Sequence, residues 1–206
     1  MRLSYQHGYI FLANPKCGSQ SVRRGLNQYS DVRSGGEGPG GELHNHSCLR
    51  TVEDFLQTQE RSLDDFVVLT TCRNPWDRVV SCFEFGRQQP KSIWHTAFTE
   101  AGGDFRAFCN HRILRHHFAK DAKHAQGPYD ILSFGSDRSG KMRAEVFDIT
   151  NMQGLQQRFR QLGVPMQILH SNRSKRGSYA DYYDDYSRRL VAELFSTDID
   201  YMGYTY

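Results

Sequence analysis

The stretch Ile10-Phe11-Leu12-Ala13-Asn14-Pro15-Lys16-Cys17-Gly18-Ser19-Gln20-Ser21 constrains the fold of this chain more than any other part of it. A short apolar run, of the length of a buried strand, leads straight into a tight loop with a proline, a lysine and a glycine, and then into the start of a helix. A strand feeding a helix through so short a loop is the opening of an α/β unit. The same arrangement binds phosphate, because backbone N–H groups at a helix N-terminus face the anion and the lysine adds a full charge. The order differs from the usual nucleotide P-loop: lysine precedes glycine, and the Gly-x-x-x-x-Gly-Lys-Ser/Thr spacing is absent.

The rest of the chain continues the alternation of strand and helix. Tyr9 to Ala13 is the first predicted strand, and Ser19 to Tyr29 is a helix with Val22 and Leu26 on one face. Ser34 to Gly41 is glycine-rich and aperiodic, which predicts a flexible loop. Ser47 to Gln59 carries Leu49, Val52, Phe55 and Leu56 at helical spacing, and Phe66 to Thr71 is a second buried strand. Asn74 is placed to cap the next helix and Pro75 to open it, with Val79, Val80 and Phe83 inward. Gln88 to Gly103 is irregular. Phe105 to Phe118 is predicted as one helix, Tyr129 to Phe134 and Ala144 to Ile149 as strands, and Met152 to Leu162 as a helix stopped by Gly163 and Pro165. Met166 to Leu169 is a last short strand, and Asp184 to Phe195 is an amphipathic helix with Leu190, Val191, Leu194 and Phe195 on its core side. No repeat or domain boundary is visible. The expectation is an α/β fold: a single domain over residues 1–206, with a central parallel sheet flanked by helices. Ligands bind such sheets beyond the carboxyl ends of the strands.

Charge and cysteine content narrow the function. A net charge of +3 over 206 residues suits a small anionic ligand better than nucleic acid, which calls for a larger basic surplus. No apolar run approaches the ~20 residues that span a bilayer. Met1 to His7 is polar and lacks a signal-peptide core. The five cysteines are odd in number and lack metal-type spacing, so free thiols in a reducing cytoplasm are expected.

A second loop, Thr70-Thr71-Cys72-Arg73-Asn74-Pro75-Trp76-Asp77-Arg78-Val79-Val80-Ser81, again carries a strand into a helix. Arg73 stands at the strand end, where a guanidinium grips phosphate bidentately, and Ser81 lies two turns into the helix. By itself this turn reads equally as an N-capped helix with an Asp77–Arg78 ion pair. Taken together, Pro15-Lys16-Cys17-Gly18-Ser19 and Arg73-Asn74-Pro75-Trp76-Asp77-Arg78-Val79-Val80-Ser81 resemble the paired signature of sulfotransferases that use 3′-phosphoadenosine-5′-phosphosulfate (PAPS). The tail, Tyr182-Tyr183-Asp184-Asp185-Tyr186, then Leu190-Val191 and Asp198-Ile199-Asp200-Tyr201-Met202-Gly203-Tyr204, is similar to the carbohydrate sulfotransferase branch. The resemblance implies a P-loop-like phosphosulfate loop made of Pro15, Lys16, Cys17, Gly18, Ser19, Gln20 and Ser21, and a 3′-phosphate site made of Arg73 and Ser81. Gln20 departs from the family, which has Ser or Thr there. The middle of the chain, 88–139, matches no pattern.

Leu43-His44-Asn45-His46-Ser47 offers a base. Heparan sulfate 2-O-sulfotransferases carry a similar His-x-His before the second motif, and its second histidine corresponds to His46. Imidazole suits proton abstraction near neutral pH. His44 is a weaker candidate, and Glu42 is a fallback base or an orienter of one imidazole. The same pair reads alternatively as an idle surface loop or, with Cys48, as a metal site, although no further ligands fall at recognisable spacing. No metal is expected. Asn172 and Lys175 are weak site candidates in the polar run Ser171 to Ser178, which reads equally as a loop that closes over a nucleotide and as a plain solvated loop. His116 and His117 read as part of a solvated basic face with Arg112, Arg115 and Lys120. Trp94, His95 and Phe98 are either an acceptor platform or core.

The expected reaction moves a sulfuryl group from PAPS to an acceptor hydroxyl, on a carbohydrate or another hydroxyl-bearing molecule. The products are a sulfate ester and adenosine 3′,5′-bisphosphate (PAP). Lys16 is expected to stabilise the leaving phosphate and His46 to take the proton. Two alternatives stand beside it. One is a P-loop-type kinase, which needs a Ser or Thr after Gly-Lys and an acidic residue at a strand end. The other is an inactive nucleotide- or polyanion-binding module.

Overall fold

A computed structural model describes residues 1–35, 40–118, 129–168 and 176–206. In chain order these form β1 (Arg2–Ser4), β2 (Tyr9–Leu12), α1 (Ser19–Leu26), β3 (Val32–Arg33), α2 (Leu49–Thr58), β4 (Val67–Cys72), α3 (Pro75–Gln88), α4 (Ile93–Glu100), α5 (Phe105–Cys109), α6 (Arg112–Phe118), α7 (Ile131–Gly135), β5 (Ala144–Asp148), α8 (Met152–Gln161), α9 (Asp185–Leu194) and α10 (Ser196–Met202). The chain divides into two compact units. The first holds the described residues of Met1–Cys72 and Leu132–Asn172, and the second those of Arg73–Ile131 and Arg173–Tyr206. Among the described residues no helix is long and apolar enough to cross a membrane.

The first unit is built on a five-stranded sheet in the order β3-β1-β2-β4-β5. β2, β4 and β5 run parallel, with Leu12 opposite Thr70 and Thr70 opposite Val146. β1 is antiparallel to both β2 and β3, so the sheet is mixed and not the purely parallel one expected. The reason is local. Residues 5–8 form a turn that folds β1 back on β2, and Met1 to His7, polar in composition, hides the buried Leu3 at the centre of a three-residue strand. A run that short lies below the window in which alternation is readable. Alternate residues of β2 and β4 point to one face, where Tyr9, Phe11, Ala13 and Leu69 pack with Val22 and Leu26 of α1 and Leu155 and Phe159 of α8. Fully burying each of the Phe, Leu and Val side chains contributes roughly 1.5–3 kcal/mol.

The second unit is helical. Phe83 on α3 is ringed by Phe98, Phe105, Phe108 and Tyr182 at centroid distances of 5.1–6.2 Å. Gly86 lets α4 approach closely, because a Cβ there would run into the Trp94 carbonyl. Arg78 is buried. Its guanidinium donates to the Tyr129 carbonyl at 3.3 Å, pairs with Asp198 at 3.5 Å and lies 4.5 Å from the Phe118 ring centroid.

Several predicted elements change. Tyr129 to Phe134 is not a strand: α7 covers most of it, with Ile131 and Phe134 buried three residues apart and Leu132 exposed. A short apolar run fits either element, and here the three-residue spacing prevails over β propensity. Phe105 to Phe118 breaks into α5 and α6 at Asn110 and His111, with Asp104 capping the first. The irregular 88–103 segment contains α4, started by Ser92, whose hydroxyl accepts from His95 N at 3.2 Å. Residues 166–168 are not strand, and Leu169 lies outside the described residues. So do 36–39 of the glycine-rich loop, Lys120 and the 171–175 run with Asn172 and Lys175. His117 is buried against Trp94 and Tyr129, leaving Arg112, Arg115 and His116 as the solvated face. Trp94 is core, stacked 5.7 Å from Phe118. All five cysteines are buried and free.

Candidate active site

In the first unit, the carboxyl end of β2 runs into the loop 13–18 and then α1. The loop folds on itself: Cys17 N donates to the Asn14 carbonyl at 3.4 Å, and the buried Ser19 hydroxyl donates to the same carbonyl at 3.1 Å. Ser21 N donates to the Gly18 carbonyl at 3.2 Å, closing the first turn of α1. Gly18, the N-cap, has φ 69°, a left-handed conformation that favours glycine, and a Cβ on it would sit 3.0 Å from the flexible Met152 methyl. Lys16 also adopts a left-handed conformation, φ 62°. For a residue with a side chain this costs about 1 kcal/mol, where glycine would cost nothing. Pro15 and Cys17 are buried, Lys16 and Ser21 half-buried, and Gly18 and Gln20 exposed.

The histidine loop reaches the root of this segment. His46 Nδ1 lies 2.6 Å from the Ala13 carbonyl. A carbonyl only accepts, so Nδ1 carries the proton and Nε2 of the neutral ring is the basic nitrogen. His44 has the opposite arrangement. Its Nδ1 accepts from the His46 backbone N–H at 3.1 Å, which puts the proton of its neutral ring on Nε2. The two rings are 5.5 Å apart, and only His46 presents a basic Nε2. Burial pushes the His46 pKa down to about 4. The Ala13 bond opposes that shift, while the charges of Arg23, His44 and the Met1 amine add to it. The amine donates to Ser34 Oγ at 2.6 Å and to the Asn45 carbonyl at 2.7 Å. Glu42 is exposed, and the His46 Nδ1 is held by the Ala13 backbone carbonyl.

In the second unit, Arg73 precedes Asn74, the N-cap of α3, and Asp77 and Ser81 follow four residues apart within the helix, on one side of it. Asp77 does not pair with Arg78, as the isolated motif suggests. It accepts from Arg73 Nε at 2.6 Å and, through its other oxygen, from Arg176. One carboxylate thus holds two guanidiniums, both largely buried. Arg176 was not singled out by sequence, because its role depends on a partner 99 positions away. The same is true of Arg23, which donates to Asn45 Oδ1 inside the histidine loop. The Asn74 side chain caps α3, accepting from Trp76 N at 3.1 Å.

Two features bear on other chemistries. Among the described residues no group of three or more His, Cys, Asp or Glu is placed to hold a metal ion. An acidic residue does end β5: Asp148, whose carboxylate accepts from Thr150 N at 2.8 Å and from its hydroxyl at 2.6 Å, capping a single 3-10 turn. No family model, curated protein or solved structure matches the chain.

Proposed function

We propose that this protein is a PAPS-dependent sulfotransferase acting on a hydroxyl, on a carbohydrate or similar acceptor. The observation that carries the reading is the conjunction at the end of β2. A lysine is held in a left-handed loop conformation ahead of a helix start, and His46 is fixed on the loop's own Ala13 carbonyl with Nε2 as its basic nitrogen. A strained residue kept where glycine would fit more cheaply points to a use for its side chain.

The donor supplies an activated sulfuryl group. Pro15 to Ser21 hold its 5′-phosphosulfate, with the Gly18 and Ser19 amides and Lys16 facing the anion. Arg73 and Ser81 hold the 3′-phosphate. Arg176 joins them, since Asp77 orients both guanidiniums. His46 Nε2 takes the acceptor's proton as the acceptor oxygen bonds to sulfur and the sulfur–phosphate oxygen bond breaks, with Lys16 stabilising the charge on the departing phosphate. The products are the sulfate ester and PAP. The kinase alternative lacks its sequence signal, because no Ser or Thr follows a Gly-Lys.

The test is transfer of labelled sulfate from PAPS to a panel of oligosaccharides. Lys16→Ala is expected to lower transfer at least a hundredfold, the usual size for a lost oxyanion stabiliser, while PAP binding in calorimetry falls by less than tenfold. Unchanged transfer by Lys16→Ala removes the leaving-group role. Equal affinity of the wild-type protein for PAP and adenosine 5′-phosphate removes the 3′-phosphate site.

A further inference from the structure

The segment after α10 turns back at Gly203, φ 66°, where Tyr204 N donates to the Ile199 carbonyl at 3.2 Å. Thr205 and Tyr206 then lie against the start of α3. The Thr205 carbonyl accepts from Asn74 Nδ2 at 2.9 Å. The Tyr206 ring stands edge-on to Trp76 at 5.5 Å and to Tyr179 and Tyr183 at 5.8 Å each. Arg188 lies 5.3 Å from its centroid, and its hydroxyl donates to the Ala180 carbonyl at 3.2 Å. Trp76 is gripped from the same side: its indole N–H donates to the Arg188 carbonyl at 3.0 Å, and Tyr183 OH donates to the Trp76 carbonyl at 2.9 Å.

The Asn74 amide therefore works in two directions. Oδ1 caps α3 through Trp76 N while Nδ2 is tied to Thr205. Asn74 immediately follows Arg73, and Asp77, which orients Arg73, is in the turn that Asn74 caps. If the tie to Thr205 is lost, the amide is no longer fixed about its side-chain torsions, the first turn frays, and Asp77 and Arg73 lose their register. We propose that residues 204–206 are a strap that sets this turn, with Tyr206 and the Thr205 carbonyl as positioning groups for the 3′-phosphate ligands. The inference rests on the reading of Arg73 given above.

Calorimetry of the full chain with PAP and with adenosine 5′-phosphate separates the two ideas. The wild type is expected to bind PAP more tightly, Tyr206→Ala to lose about tenfold in PAP affinity with adenosine 5′-phosphate within twofold, and Tyr206→Phe to stay within twofold for both. Because Tyr206 is 41% exposed, its ring is not part of the deep core, and Tyr206→Leu gives the same comparison with more bulk retained. A wild type that discriminates, with a Tyr206→Ala variant that discriminates equally, overturns the strap alone. Parallel loss of both ligands makes Tyr206 merely structural and also overturns it. A wild type that does not discriminate overturns the 3′-phosphate reading and the strap with it.

Discussion

The protonation of His46 gives the sharpest test of the site. Its pKa lies at about 4 in the free protein, because the ring is mostly buried and faces Arg23, His44 and the Met1 amine. An ordinary histidine titrates near 6.5. At pH 5 a ring with a midpoint of 4 is ~90% neutral, while an unperturbed one is ~3% neutral, a ratio of about 30. The assay is an NMR titration of the ring Cε1–H from pH 3.5 to 8, with His46→Gln assigning the resonance. The expected midpoint is near 4, moving up when PAP binds, since an opposite charge close to the ring favours its protonated form. The linkage to stability has a definite sign. The folded pKa is depressed, so the contribution is complete above pH 6.5 and is lost as pH falls through 4. Between pH 7 and 5 this removes ~2 kcal/mol of unfolding free energy, a loss that His46→Gln should lack in urea titrations. A free-protein midpoint between 6 and 7 refutes the burial argument. A midpoint unmoved by PAP refutes a ligand site shared by His46 and the 13–18 loop.

Two further outcomes follow from the second unit. Asp77→Asn removes the carboxylate that holds Arg73 and Arg176; it should narrow the preference for PAP over adenosine 5′-phosphate at least fivefold in calorimetry while costing ~2–3 kcal/mol in urea unfolding, the scale of one lost charge-assisted hydrogen bond. Arg78→Met leaves Asp198 buried and unpaired, and should cost ~3–5 kcal/mol at pH 8. Burial already pushes the Asp198 carboxyl up to about 6, so protonation relieves it below that pH. The deficit at pH 5 should therefore be clearly smaller, and an equal deficit at both pH values would show that Asp198 is not the group left exposed to the loss.

What could be read from the sequence was what local pattern encodes. The β2 and β4 runs, the α3 start with Asn74 and Pro75, and the inward residues of α1 and α2 fall where periodicity and capping put them. β1 and β3 were not readable, because pairing of a three-residue and a two-residue strand is decided by the turn at 5–8 and by the neighbour, not by alternation. Their antiparallel pairing is what makes the sheet mixed. α7 escapes the sequence for a related reason: Ile131 and Phe134 are compatible with either period until their burial is known.

The candidate site divides along the same line. Lys16, Gly18, His46, Arg73 and Ser81 stand out because the chemistry of each is carried by its own side chain and by near neighbours. The groups that aim them leave no such mark. The Ala13 carbonyl that selects the His46 tautomer is a backbone atom present at every position, and it acts over 33 residues. Asp77 looks like the partner of Arg78 beside it, yet Arg78 is buried on Asp198, and Asp77 instead gathers Arg73 and an arginine 99 residues on. Adjacent helical residues point about 100° apart, so neighbouring opposite charges on a helix are poor evidence for a pair, whereas residues four apart share a side. Within α3 that rule alone separates Asp77 from Arg78, while the bond to Arg73, which precedes the extended N-cap Asn74, lies outside its reach. It could not have found Arg176 or Tyr206, whose places depend on how the end of the chain packs against α3.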